Sequence, residues 1–163
     1  MTFEELHQKT LNRIESVYKR VDEHYGMSFP RPQISFRLKG RRAGVAYYRE
    51  NLIKLNSQLL VENGDKFILD TPGHEAAHLV ARRVFGGFIK SHGDEWKSVM
   101  RIIGQEPTRC HEFEVKTNHV YSCACNPSNY VSTYYHNKSL KGTVILKCKK
   151  CKTRLSWNKL TVA

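Results

Sequence analysis

The feature that most constrains this chain is the run His74-Glu75-Ala76-Ala77-His78. Two histidines four residues apart can serve one point in space only on a helix, because positions i and i+4 share a helix face. Both imidazoles can then reach an ion about 2 Å away, the usual zinc–nitrogen distance. Glu75 lies one residue on, rotated by about 100°. It can approach the open side of such an ion without ligating it. Zinc lowers the pKa of a bound water towards about 7, and a carboxylate so placed can take the proton and pass it to a leaving amine. The pattern predicts an open zinc site with Glu75 as general base.

A site of that type needs a third protein ligand. The long metzincin pattern would place Gly at 81 and His at 84, where this chain has Ala81 and Val84. A glutamate from the next helix would be Glu95 or Glu106, and neither stands in a Glu-x-x-x-Asp frame. His92 follows the Gly86-Gly87 break, just ahead of a helix opening at Asp94. Gly93 allows a tight backbone there. His92 is therefore the expected third ligand, with Trp96 packing the new helix beneath the site.

Other segments read as follows. Thr2-x-x-Glu5 is a capping box, and Phe3, Leu6, Ile14, Val17, Val21 and Tyr25 follow at helical spacing. The spacing predicts a helix over 3–25, ended by Gly26. Ile34, Phe36 and Leu38 alternate with polar residues, and residues 43–48 and 51–55 read as two more strands. Together they predict a small antiparallel sheet. Ser57 is expected to cap a short helix over 58–63, stopped by Gly64. Asp70-Thr71-Pro72 reads as the start of the helix carrying the histidines, running to Val84. A further helix is expected from Asp94 to Ile103. Residues 105–120 read as an irregular connector. The order predicts an α+β architecture, with one domain over 1–114 and a β-rich appendage over 115–163.

The chain has five cysteines, at 110, 123, 125, 148 and 151. The acidic start Met1-Thr2-Phe3-Glu4-Glu5 is no signal peptide, and no apolar run is long enough to span a bilayer. A cytoplasmic location is expected, where paired cysteines favour metal over disulfides. Cys123-x-Cys125 and Cys148-x-x-Cys151, with 22 residues between them, predict a closed structural zinc site in a ribbon flanking a β-hairpin. The first pair is tight, which leaves a second ligand set open: three of the cysteines with His136. Two zinc ions are expected in all. Cys110 reads as a packing thiol.

The net charge of +12 is concentrated in the tail. Residues 115–163 hold nine basic residues and no acidic one, whereas 1–114 hold eighteen basic and fifteen acidic. Such a segment suits a polyanion. Tyr121, Tyr130, Tyr134, Tyr135 and Trp157 are interleaved with its lysines, a combination that suits single-stranded nucleic acid. The competing reading is that these rings cover the ribbon's own thin core. Arg41-Arg42 and Arg82-Arg83 could extend a basic face.

The run from Ala43 to His111 resembles the SprT family of zinc metallopeptidase-like proteins. The resemblance rests on Ala43-Gly44-x-Ala46, Ile53-x-Leu55-Asn56, Leu59-Leu60, His74-Glu75-x-x-His78-Leu79, Phe85-Gly86, His92-Gly93-x-x-Trp96-Lys97 and Pro107-x-Arg109-x-His111. In the tail, Tyr121-x-Cys123-x-Cys125, His136-Asn137, Gly142 and Cys148-x-x-Cys151 look like the zinc ribbon of the family's bacterial branch. The resemblance implies a zincin-like domain, zinc on His74, His78 and His92, and Glu75 as catalytic acid and base. It also implies kinship with the Spartan proteases, which degrade proteins crosslinked to DNA. The expected function is a zinc endopeptidase associated with DNA, most simply single-stranded, through the ribbon. The alternative is a zinc-stabilised nucleic-acid-binding or regulatory protein with little turnover. His111 is expected either beside the zinc cleft or in a structural role.

Overall fold

The fold is that of a computed structural model, which describes residues 1–108, 113, 119–131 and 133–157. Cys110 and His111 lie outside the described residues, as do Lys116 and Lys159. The chain divides into two compact units, Met1–Phe113 and Glu114–Ala163. The architecture is mixed α+β, with four helices and two three-stranded sheets among the described residues. Among those residues no helix is long and apolar enough to cross a membrane.

In the first unit, helix α1 (Phe3–Tyr25) opens on the expected capping box. The Thr2 hydroxyl accepts from the Glu5 N–H at 3.2 Å, and the Glu5 carboxylate accepts from the Thr2 N–H at 2.7 Å. Gly26 closes the helix at φ 63°. Leu6, Ile14, Val17, Tyr18 and Val21 form its buried face, and α1 packs against α2 (Ser57–Phe85) and α3 (Asp94–Ile102).

The sheet of this unit contains β1 (Gln33–Ser35), β2 (Gly44–Tyr47) and β3 (Leu52–Leu55), in the order β1-β3-β2. β2 runs antiparallel to β3, but β1 runs parallel to it, so the sheet is mixed rather than antiparallel throughout. The alternation of apolar residues marks which side chains face the core and is blind to partner direction. The fully buried Ile53 and Leu55 give β3 the centre. The chain leaving β1 pairs Arg37 with Asn56 and returns on the far side of β3.

Helix α2 differs from expectation at its N-cap and in its interior, whereas Gly86 ends it as expected. Asn56, not Ser57, caps it: the buried Asn56 side-chain oxygen accepts from the N–H groups of Gln58 and Leu59. Its amide nitrogen donates to the carbonyls of Gly40 at 2.9 Å and Arg42 at 3.1 Å. Serine could make the cap but not the loop bonds. Gly64 is a kink (φ 48°, ψ −125°), after which the helix resumes at once. The histidine-bearing segment therefore does not start at Thr71-Pro72, and Pro72 lies inside the helix. Proline there removes the donor to the Ile68 carbonyl and crowds that carbonyl with its ring, a cost that the packing on either side outweighs. Phe67 and Ile68 bury a helical face ahead of it. The Gln105 amide donates to the carbonyls of Leu69 at 2.8 Å and Asp70 at 3.1 Å. Tertiary packing thus overrides the local start signal.

The second unit holds β4 (Val120–Cys123), β5 (Asn126–Tyr130), α4 (Thr133–Leu140) and β6 (Ser156–Trp157). The sheet order is β5-β4-β6, all antiparallel. Helix α4 is absent from the sequence-based expectation. Its threonine and tyrosines favour strands, but a helix is what carries His136 into the buried layer. The cysteine pairs do not flank one hairpin. Cys123 and Cys125 sit at the β4–β5 turn, and Cys148 and Cys151 sit in a second turn closed by the Lys147–Arg154 bridge.

Candidate functional site

Helix α2 supplies His74 and His78, and the loop between α2 and α3 brings in His92. The Nε2 atoms of His74 and His78 are 3.3 Å apart, and those of His74 and His92 are 3.2 Å apart. The donor atoms of the three residues all lie within 4.8 Å of one another. Tetrahedral ligands about 2.0–2.1 Å from zinc lie about 3.3 Å from each other. The three imidazoles therefore fit one zinc ion. Burial, then the neighbouring His74, His92 and Arg82, push His78 down to about 3. At neutral pH it is the uncharged imidazole, the form that ligates metal.

Trp96 supports this group. It is 1% exposed, and its ring centroid lies 4.8 Å from His74, 5.4 Å from His78 and 4.7 Å from His92. Its indole N–H donates to the His74 carbonyl at 3.4 Å. One side chain of α3 thereby fixes the approach of the His92 loop to α2.

Glu75 is buried and faces β2. Burial pushes its carboxyl up to about 7, against a hydrogen bond from the Ala46 N–H, and the charge of Asp70 pushes the same way as burial. A bound dication would draw it down again. Gly44 makes the close approach possible: a Cβ there would come within 2.6 Å of Glu75 Cγ and 2.8 Å of Oε1. The three histidines and Glu75 line an open cleft of about 640 Å³, with edge strand β2 along one side. Arg42 and Tyr48 also line it. The Arg82 guanidinium lies 4.3 Å over the Tyr48 ring and donates to the Gly87 carbonyl.

The second cluster contains the four paired cysteines. The Sγ atoms of Cys123 and Cys125 are 3.6 Å apart, and those of Cys125 and Cys148 are 3.7 Å apart. All four sulfurs lie within 4.8 Å of one another. Tetrahedral thiolates about 2.3 Å from zinc lie about 3.8 Å apart, so this set fits as well. Hydrogen bonds from Thr153 draw Cys151 down to about 6, towards the thiolate. His136 belongs elsewhere. Its Nδ1 meets the Tyr121 hydroxyl at 3.1 Å, and its ring stacks on His119 at 3.6 Å and meets Trp157 edge-on at 4.5 Å. The described cluster is four cysteines without it.

Sequence reasoning did not find three contributors: the Ala46 N–H, the clearance at Gly44 and the double role of Asn56. The only signal was the presence of Gly44, Ala46 and Asn56 in the quoted motifs.

A sequence model described as the SprT-like family matches residues 14–119. The chain belongs to the SprT-like family. Protein SprT of Pseudomonas entomophila (strain L48) is similar to this SprT-like chain, with 39% identity over 151 residues, 90% of this chain and 92% of the relative. Protein SprT of Pseudomonas paraeruginosa (strain DSM 24068 / PA7) is 42% identical over 150 residues, 88% of this chain and 90% of its own. At nine-tenths coverage the first match extends through most of the cysteine-bearing tail of the SprT-like chain. No solved structure matches it.

Proposed function

We propose that this SprT-like chain is a zinc-dependent endopeptidase with a zincin-like domain and a zinc ribbon, acting on proteins held on or crosslinked to DNA. One observation carries the reading. Three imidazole nitrogens stand at tetrahedral spacing beside a buried carboxyl, in an open cleft along a strand edge.

A zinc ion on His74, His78 and His92 supplies a polarised water and a Lewis acid for the scissile carbonyl. Glu75 takes a proton at its carboxylate and returns it to the departing amine nitrogen. The Ala46 N–H orients the carboxylate, and the edge strand β2 gives an extended substrate backbone a strand to lie along. The four cysteines form a closed set, so an ion there is structural.

Support for DNA comes from the tail, with nine basic residues, no acidic one and interleaved aromatic rings. Recruitment through the ribbon would restrict cleavage to proteins already on the nucleic acid.

The test uses a loosely folded basic protein as substrate, with and without single-stranded DNA, and compares the wild type with Glu75→Gln. Zinc-dependent cleavage by the wild type, stimulated by DNA and lost in the variant, is expected. Absence of cleavage in every condition would leave a zinc-stabilised binding protein and end the protease reading.

A further inference from the structure

We propose that Thr71, one helical turn ahead of Glu75, is a positioning residue whose hydroxyl holds the Glu75 carboxyl through the proton transfer. The inference rests on the endopeptidase reading above and deepens it.

Thr71 is 4% exposed, and its Oγ1 has no hydrogen-bond partner among the described residues. Four buried side-chain polar atoms there lack a partner, and only this one belongs to a residue that lines the histidine cleft. Leaving a buried hydroxyl unpaired costs stability, and valine would fill the same space without that cost.

A local partner is at hand and is not taken. A helical threonine can turn its hydroxyl to the carbonyl three or four residues back. Three back from Thr71 is Ile68, whose carbonyl has lost its helical donor to Pro72. The Gln105 amide goes to the next two carbonyls, those of Leu69 and Asp70. Thr71 thus keeps its hydroxyl off the backbone of its own helix.

Glu75 is placed to use it. Positions i and i+4 share a helix face, and a helical side chain points back toward the N-terminus. The Glu75 side chain therefore lies over the turn that holds Thr71. Both residues are buried and both line the cleft. The Ala46 N–H of β2 donates to the Glu75 carboxyl, and a carboxylate has a second oxygen that can accept.

A hydroxyl suits a carboxyl that changes its protonation. A backbone N–H only donates, so it serves the ionised form best. A hydroxyl donates to the carboxylate and accepts from the protonated acid. While Glu75 takes a proton and returns it to the departing amine nitrogen, Thr71 can follow by rotating its O–H, with no movement of the helix.

The test compares the wild type with Thr71→Val, which keeps the shape and removes the hydroxyl, and with Thr71→Ser, which keeps the hydroxyl. Cleavage of fluorescein-labelled histone by the full, zinc-loaded chain is followed in the presence of single-stranded DNA. Thr71→Val is expected to lower kcat by about tenfold to a hundredfold, with KM within about twofold of the wild type. Thr71→Ser should stay within about threefold in kcat. Two further readouts need no turnover. The first unit of metal-free Thr71→Val should melt at the wild-type temperature or about 2–4 °C above it, because only an unpaired hydroxyl is lost. Zinc affinity, measured by competition with a chromophoric chelator, should stay within about twofold, whereas loss of support for a ligand costs about tenfold or more. Full activity in Thr71→Val would overturn the proposal and leave the endopeptidase reading standing. A valine variant that melts below the wild type, or that binds zinc about tenfold more weakly, would overturn it in favour of a structural role. A serine variant no more active than the valine variant would overturn it too, since the hydroxyl then does not act. If the wild type itself cleaves nothing, the endopeptidase reading falls and this inference with it.

Discussion

A single hydrogen at position 44 decides where the Glu75 carboxyl can sit. Any Cβ there would overlap Cγ and Oε1 of Glu75 at 2.6 and 2.8 Å. Gly44→Ala is expected to displace the flexible carboxyl rather than the strand. Cleavage should fall by about a hundredfold while the melting temperature stays nearly constant, which rate assays beside thermal melts will check. The spacing of His74, Glu75 and His78 was legible in the sequence because it is a helix property. The clearance at Gly44 was not, because it depends on a strand some thirty residues away. A second residue-scale prediction concerns Arg31, which bonds Glu15 at 2.9 Å and Asp22 at 2.7 Å. Hydrogen bonds from Arg31 hold the Glu15 carboxyl below its ordinary value. A depressed carboxylate pKa stabilises the fold above the unfolded value of about 4.3, and that contribution is lost as pH falls through the folded value. The stability gap between wild type and Arg31→Met should therefore be fully open above about pH 5 and close as the pH falls below the unfolded value of about 4.3, in an acid titration followed by circular dichroism.

At the scale of elements, α2 shows how local and tertiary signals compete. Gly64 was legible as a stop, and the chain does leave helical geometry there, at φ 48° and ψ −125°. It resumes the helix immediately because Phe67 and Ile68 have a core to enter. The Asp70-Thr71-Pro72 start signal is overruled for the same reason. Gly64→Ala forces a side chain into a conformation that only glycine adopts readily. It should destabilise the first unit by about 1–2 kcal/mol in urea unfolding, with the histidine cluster still competent to bind metal in the folded state. Helix α4 is the converse case: Thr133, Tyr134 and Tyr135 favour strands, yet the segment is helical, with His136 buried against Tyr121 and Trp157.

At the scale of the whole molecule, two donor sets of different chemistry sit in two compact units. Two zinc ions per chain are expected by elemental analysis. His78→Ala should remove one and leave the cysteine set loaded, and Cys148→Ser should do the reverse. The second unit has a small core, so much of its folding energy would come from its ion. Chelation is expected to abolish the tyrosine and tryptophan signals of that unit in near-ultraviolet dichroism before the α1–α2 core melts.

The sequence by itself determined what is local. A capping box, two histidines one turn apart, two tight cysteine pairs and an unbalanced tail charge act within a few residues, so they can be read along the chain. Tertiary structure decided what depends on closing long loops. It set His92 at 3.2 Å from His74, passed β2 against Glu75 through Gly44, placed β1 parallel to β3 and left His136 outside the cysteine set. These outcomes are fixed by which distant surfaces bury one another, and no spacing within a segment encodes them.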